Sequence, residues 1–452
     1  MKKLILILAA FLFQAQAQAQ AQAQKPSTAP PPIVLSTAIP GDVNVTAQTI
    51  SIDALQPDFD VYSWNTFIAL NWPAGADGNA DPKKTIGQNG DNDTVWEHYR
   101  DVSDIFLPGG KRPTWNGPSQ PPPAGVKGYK PGMRILTQVG KTPTVLTDSS
   151  QPFNTGPLID QNGFYTRFDI LVNKTMFEYI ANNSLYSKAG QKAFTPPVNF
   201  TCGSNGSNGS QGVEGAIMVK SSWKVIDPSE KPRFHSEEAL VCSPASENPK
   251  YPASCSVRTM GLVGLHIAHK TKSASQWLWS TFEHVDNAPT EEDVKKGTLK
   301  AKYNYYNPLC SAANCPANAI PPRPWNPTQI SKFHSQVVRN NLFNMPIYAA
   351  SASARNADAR KLLVSVNPKS VWQNYELIST MWPTDPGNCA AVPGDPLGNP
   401  APTFLANTTL ETYLQRNPPQ PNVTSQCIEC HNNATMTVPV PSDFTYILQR
   451  AQ

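Results

Sequence analysis

A β-rich α+β fold with few helices is the class this sequence predicts, and three observations predict it. Charged residues make up only 15% of the chain while proline and glycine number 45 and 26, which excludes coiled coils and helical solenoids and makes turns abundant. The middle of the chain runs in short stretches of β-branched and aromatic residues broken by turn clusters. Only isolated segments carry the three- and four-residue spacing of a helix. At 452 residues the chain is long enough to bury a large core. Its 37 basic and 33 acidic residues are scattered without a Lys/Arg-rich run, so no nucleic-acid partner is expected.

In chain order, Lys2 and Lys3 precede the apolar run Leu4 to Phe13 and an Ala-Gln repeat, the pattern of a cleavable secretory signal over residues 1–24. The run is about half of the roughly 20 residues that a membrane span needs. A periplasmic or secreted chain with no transmembrane span after signal cleavage is expected. Residues 25–56, with Pro30-Pro31-Pro32, read as a Pro-rich extended arm. A β-rich α+β domain is expected over 57–415. It opens on Val61, Trp64, Phe67, Ile68 and Trp72, the stripe of an amphipathic helix over 59–72 that Pro73 stops. The Gly/Ser/Asn tract at 203–210 predicts an exposed loop. Strands are expected at about 215–225, 260–270, 277–285 and 371–381, and short helices at 356–364 and 410–415. Residues 416–452 form the last unit, a segment packed on the main domain.

That segment carries the most specific signal. Cys427-Ile428-Glu429-Cys430-His431 is the C-x-x-C-H attachment signature of a c-type haem, a pattern expected by chance about 0.002 times at this chain's Cys and His frequencies. Two thiols two residues apart can each add to one vinyl group of the same porphyrin, and the adjacent His431 then lies beneath the iron as proximal ligand. A zinc site would need a second ligand pair, which residues 416–452 lack, and a thioredoxin-like redox pair would need a strand-then-helix setting. One covalent haem c, held by Cys427, Cys430 and His431, is the expected cofactor. The other six cysteines, Cys202, Cys242, Cys255, Cys310, Cys315 and Cys389, suit disulfides in an exported chain. Their short intervals favour local staples at Cys242 to Cys255 and Cys310 to Cys315.

Only 21 residues follow His431, so a protein ligand on the opposite side of the iron is sought upstream. The candidates are His98, His235, His266, His269, His284 and His334, and His266 and His269 stand out because they sit in the apolar run Gly261 to His269, where a neutral or metal-bound imidazole is easier to accommodate than a charged one. On a strand the two point to opposite faces, so only one addresses a given pocket. The run Trp277 to His284 is expected to pair with this one as a hairpin and supply an aromatic wall.

On Cys427 to His431, on Ser442-Asp443-Phe444-Thr445-Tyr446, and more loosely on Ser63 to Phe67 and Gly261 to Lys270, the chain resembles the bacterial cytochrome c family proteins, large exported chains with one attachment motif near the C-terminus. The late motif on a β-rich chain is also similar to the cytochrome P460 group, and that likeness implies a five-coordinate haem acting on small nitrogen compounds. Two functions follow. As a periplasmic c-type cytochrome, the protein transfers electrons with a redox partner protein or a small-molecule oxidant. As a haem enzyme or gas-binding protein, it keeps an open distal site and acts on peroxide or small nitrogen oxides. No Gly-rich phosphate loop, Ser-His-Asp arrangement or H-E-x-x-H motif points to a second cofactor, and no catalytic residue is assigned.

Overall fold

The computed structural model describes residues 30–46, 51–87, 93–119, 121–122, 126–137, 156–206, 212–243, 245–247, 250–340, 346–384, 400–415 and 427–452. The expected signal at 1–24 lies outside them. The arm over 30–46 has no helix or strand, yet Ile33, Leu35 and Ile39 press onto the core and the Val34 amide donates to Asn65 Oδ1 at 2.9 Å. It ends earlier than expected, because helix α1 spans Ile52–Leu70 with Pro57 inside it. This helix is not amphipathic. From Gln56 onward nearly every residue is buried, the polar ones included, as expected of a helix enclosed on all sides. Ser63 Oγ meets Ser280 Oγ and Thr380 Oγ1 at 2.6 Å each, and Gln56 Nε2 donates to Asp60 Oδ1 at 2.9 Å, which keeps these buried groups satisfied.

A nine-stranded sheet forms the frame. Its strands are β1 (Arg100–Asp101), β2 (Ile135–Leu136), β3 (Arg167–Val172), β4 (Ile217–Val225), β5 (Ser236–Ser243), β8 (Ser254–Thr271), β9 (Ala274–His284), β10 (Tyr375–Pro383) and β11 (Pro400–Ala401), while β6 (Ser246–Glu247) and β7 (Lys250–Tyr251) form a separate hairpin. The order β1-β3-β4-β8-β9-β10-β11 is antiparallel throughout. At its first half β8 pairs instead with β5, which holds β2 in parallel. The long strand β8 therefore knits two parts of the sheet. Gly264 on β8 is required by close approach, since a Cβ there would lie 2.2 Å from Thr409 Oγ1 and 2.6 Å from Ser222 Oγ.

The expected strands at 215–225, 260–270 and 277–285 fall on β4, β8 and β9, and the last two do form the hairpin. The stretch 371–381 splits, with a 3-10 turn over Val371–Asn374 ahead of β10. Trp372 sets this turn by packing on Phe67 and Tyr375, and Gln373 Nε2 ties it to the carbonyls of Pro368 and Ser370. The helix at 356–364 is the centre of a longer one, α5 (Pro346–Val366), after α2 (Lys174–Asn182), α3 (Lys188–Ala193) and α4 (Glu291–Lys296). At 410–415 there is only a 3-10 turn, Thr412–Gln415. In the tract 203–210, Gly203 and Ser204 are bridged to Thr271 and Val213 rather than lying loose, and residues 207–210 lie outside the described residues.

The two faces of the sheet are covered differently. Leu265, Ile267 and Phe282 face α1, where Phe67 stacks on Phe282 at 4.4 Å. On the other face Met218, Ala268, Trp279 and Met381 stand in register across four strands. These four share a buried cluster with Ile428, Met436, Phe444 and Leu448, so the C-terminal segment closes this side. Its end is pinned to α3, whose Gln191 Nε2 donates to the Leu448 carbonyl at 2.8 Å. Cys242–Cys255 and Cys310–Cys315 are disulfides, as the spacing predicts. Cys202 is also disulfide-bonded, and Cys389 lies outside the described residues. Among the described residues no helix is long and apolar enough to cross a membrane.

Candidate haem-attachment site

The motif forms a single short helix, α6 (Cys427–Asn432), seated against β9 and β10. Helical spacing puts Cys427, Cys430 and His431 at positions i, i+3 and i+4, on one face of little more than one turn. Ile428, between the motif's thiols, is buried in the cluster that holds the segment to the sheet. Cys427 and Cys430 are partly buried thiols outside the disulfides.

His431 is the best-defined part of the site. Its Nδ1 lies 2.7 Å from the carbonyl oxygen of Phe444, and because a carbonyl only accepts, Nδ1 carries the proton and donates. That assignment leaves Nε2 as the basic nitrogen. A backbone acceptor on Nδ1–H is the arrangement that fixes a metal-binding imidazole in tautomer and orientation. The ring is held between two aromatic side chains, Trp279 of β9 at 4.4 Å and Tyr446 at 5.3 Å. Trp279 is itself anchored by its Nε1 donating to the Gln276 carbonyl at 3.0 Å, and Tyr446 by its hydroxyl donating to the Cys430 carbonyl at 2.7 Å.

The acceptor carbonyl belongs to an unusual piece of backbone. Asp443 and Phe444 have φ of +53° and +63°, two consecutive left-handed residues that are not glycine, at about 1–2 kcal/mol each. The surroundings hold them there. Asp443 Oδ2 accepts from Lys270 Nζ at 2.5 Å and from the Phe200 amide at 2.7 Å, and Lys270 Nζ also donates to Asn199 Oδ1 at 2.6 Å. Both charged side chains are fully buried. Burial pushes the Asp443 carboxyl up and the Lys270 ammonium down, and each pulls the other back toward its charged form.

Two thiols and an imidazole on one helical face, with Nδ1 already engaged and Nε2 basic, fit the donor set of a c-type haem. His266 and His269 do point to opposite faces. His269 faces α1, where Tyr62 Oη bonds Nδ1 and the Glu214 carbonyl takes Nε2, and burial pushes the ring down to about 4. His266 lies on the face of Ala268 and Trp279, with Nε2 at 2.9 Å from Glu411 and Nδ1 at 3.1 Å from Thr281 Oγ1. Among the described residues no cluster of three or more His, Cys, Asp and Glu side chains is arranged to hold a bare metal ion.

A second constellation was not anticipated from the sequence. Arg134 is ringed by Glu237 at 2.5 Å, Asp169, and Glu97 at 3.6 Å, with its guanidinium over Trp96 and Trp223; Glu97 also pairs with His235 at 2.9 Å. The cluster borders a cleft of about 1530 Å³, and none of the motif residues lines it. Lys270, Asp443 and Phe444 escaped individual notice too, although a lysine ending an apolar strand is a signal that a buried acid must meet it. No family model, curated protein or solved structure matches the chain.

Proposed function

We propose that this chain is an exported, periplasmic or secreted c-type cytochrome that holds one haem through Cys427, Cys430 and His431 and transfers electrons with a redox partner protein or a small-molecule oxidant. The observation that carries the reading is the hydrogen bond from His431 Nδ1 to the Phe444 carbonyl, on the same helical turn as two thiols at C-x-x-C spacing. When bound, haem supplies a one-electron iron couple whose potential follows its axial ligands and their hydrogen bonds. The protein's part is to direct His431 Nε2 and exclude water with Trp279, Ile428 and Phe444, all at least 94% buried. The disulfides suit an oxidising compartment.

A second reading, a haem enzyme or gas-binding protein with an open distal site, draws on the side chains of His266 and His269, whose ring nitrogens are all engaged in hydrogen bonds within the protein.

The test expresses the wild type and a Cys427→Ala, Cys430→Ala double variant with export and cytochrome maturation intact. Haem in the wild type should survive acid-acetone extraction, and the double variant should retain none. Extractable haem in the wild type, or covalent haem in the variant, overturns the reading. The dithionite-reduced wild type is then exposed to carbon monoxide. Sharp α and β bands that ignore the gas mark the six-coordinate carrier, whereas broad bands that shift mark the open site.

A further inference from the structure

We propose that Lys270 is a positioning residue for His431, acting through its buried ion pair with Asp443. The inference rests on the haem reading above and deepens it.

The chain of contacts is short. Lys270 belongs to the last turn-proximal stretch of β8, and its ammonium is fully buried, with Asp443 Oδ2 at 2.5 Å and Asn199 Oδ1 at 2.6 Å. Asp443 Oδ2 also accepts from the Phe200 amide, so one carboxylate ties the C-terminal segment both to the sheet and to the 199–200 strand of loop. The next residue, Phe444, presents the carbonyl that accepts from His431 Nδ1. Asp443 and Phe444 both stand at positive φ, a conformation that relaxes into the β or right-handed region once nothing enforces it. A relaxed peptide turns its carbonyl elsewhere, so the ion pair is what aims the acceptor at the imidazole. A burial role alone does not account for the choice of residues. Two apolar side chains would fill this space without desolvating two charges, and such replacements are commonly neutral or stabilising.

Loss of an outer hydrogen-bond partner weakens a metal–imidazole bond by about 10- to 100-fold, and for a ligand displaced by one proton this equals an upward shift of about 1–2 pH units in the acid detachment midpoint. The experiment uses the full haem-loaded protein and compares three forms by optical pH titration and by midpoint potential. Lys270→Met with Asp443→Leu removes the pair without stranding a charge and is expected to fold. Lys224→Met with Asp160→Asn removes another buried pair, between β4 and the stretch ahead of β3, as the control for a purely structural effect. Wild type and control should detach His431 at the same pH. The Lys270/Asp443 variant should do so 1–2 units higher and show a raised potential, because a less basic imidazole stabilises ferric iron less. An unchanged midpoint and potential in that variant overturns the proposal while leaving the cytochrome reading intact. An equal shift in the control also overturns it, by reducing the effect to general loosening. Absence of covalent haem from the wild type overturns both readings and is distinguished by the extraction assay. If the double variant fails to fold, Lys270→Met with Asp443→Asn, which removes both charges but keeps an acceptor for the Phe200 amide, is read in the same way: a midpoint 1–2 units higher supports the proposal and an unchanged one overturns it.

Discussion

Trp279 is the side chain on which the packing of the site turns, and its truncation has a magnitude that the structure sets. The indole is 6% exposed, stands in register with Ala268 and Met381, and lies 4.4 Å from the His431 ring. Trp279→Ala removes all of this and leaves a cavity, a change worth about 3–5 kcal/mol for a large core aromatic. Within that sum, the Nε1–H bond to Gln276 accounts for about 1 kcal/mol and the ring pair with His431 for about 0.5–1.5 kcal/mol. Trp279→Phe keeps an aromatic ring against the imidazole but loses the N–H, so its expected loss is about 1–2 kcal/mol. Equilibrium urea unfolding of both variants reads these values as shifts in midpoint at constant slope. The haem-loaded Ala variant should in addition release His431 at higher pH, and the Phe variant should not. A loss below about 1 kcal/mol for Ala, or equal losses for Ala and Phe, would refute the claim that the indole face supports His431.

Two further predictions concern buried charge. Arg134→Met leaves Glu97, Asp169 and Glu237 facing one another without their cation, at an expected loss of about 3–5 kcal/mol near pH 8. The folded variant then takes up protons that the unfolded chain does not, so the loss should shrink toward pH 5; a loss equal at both pH values in urea unfolding contradicts the assigned cluster. Asp60, on α1, accepts from Gln56, Ser351 and Thr380, and burial pushes its carboxyl up to about 6 from 3.8. Between those values the folded state binds more protons than the unfolded one, so this residue's contribution falls as pH rises through the window. Asp60→Asn should therefore gain on the wild type by about 2 kcal/mol from pH 4 to pH 7, and a gap that narrows as pH rises would show the sign to be wrong.

The sequence made the fold legible wherever a single periodicity dominated. β4, β8 and β9 are apolar runs bounded by turns, and the hairpin from β8 to β9 follows from their adjacency. Helix α1 was placed but misread as amphipathic, because its polar residues are buried against partners more than two hundred residues away, such as Ser63 with Ser280. The 3-10 turn at Val371–Asn374 was invisible for a similar reason: Trp372 packs on Phe67 and His235, both more than a hundred positions away. For the site, the candidate attachment residues could be read off one five-residue motif. What surrounds them could not, since Trp279 meets His431, and Lys270 meets Asp443, only once β8, β9 and the C-terminal segment are packed together. The ion pair itself spans 173 positions.

His266 offers the sharpest division between the two functions, because the hydrogen bonds it makes compete with one of them. His269 stands on the α1 face of the sheet, away from α6, and would reach the iron only by crossing the sheet. His266 shares the face of Trp279, but its Nε2 serves Glu411 and its Nδ1 meets Thr281. To bind iron, the ring would have to give up its hydrogen bond to Glu411 or the one with Thr281, a penalty of about 1–3 kcal/mol per stranded group that a strong iron–imidazole bond can exceed. The two cases separate on substitution. If His266 ligates iron in the loaded protein, His266→Ala converts a low-spin spectrum to one that binds carbon monoxide. If it stays with Glu411, the same variant keeps the wild-type spectrum and loses only stability, by the few kcal/mol of a buried pair broken on one side. Glu411→Gln adds the deciding control, since it weakens the restraint on His266 and should favour the low-spin form only if this imidazole is within reach of the iron.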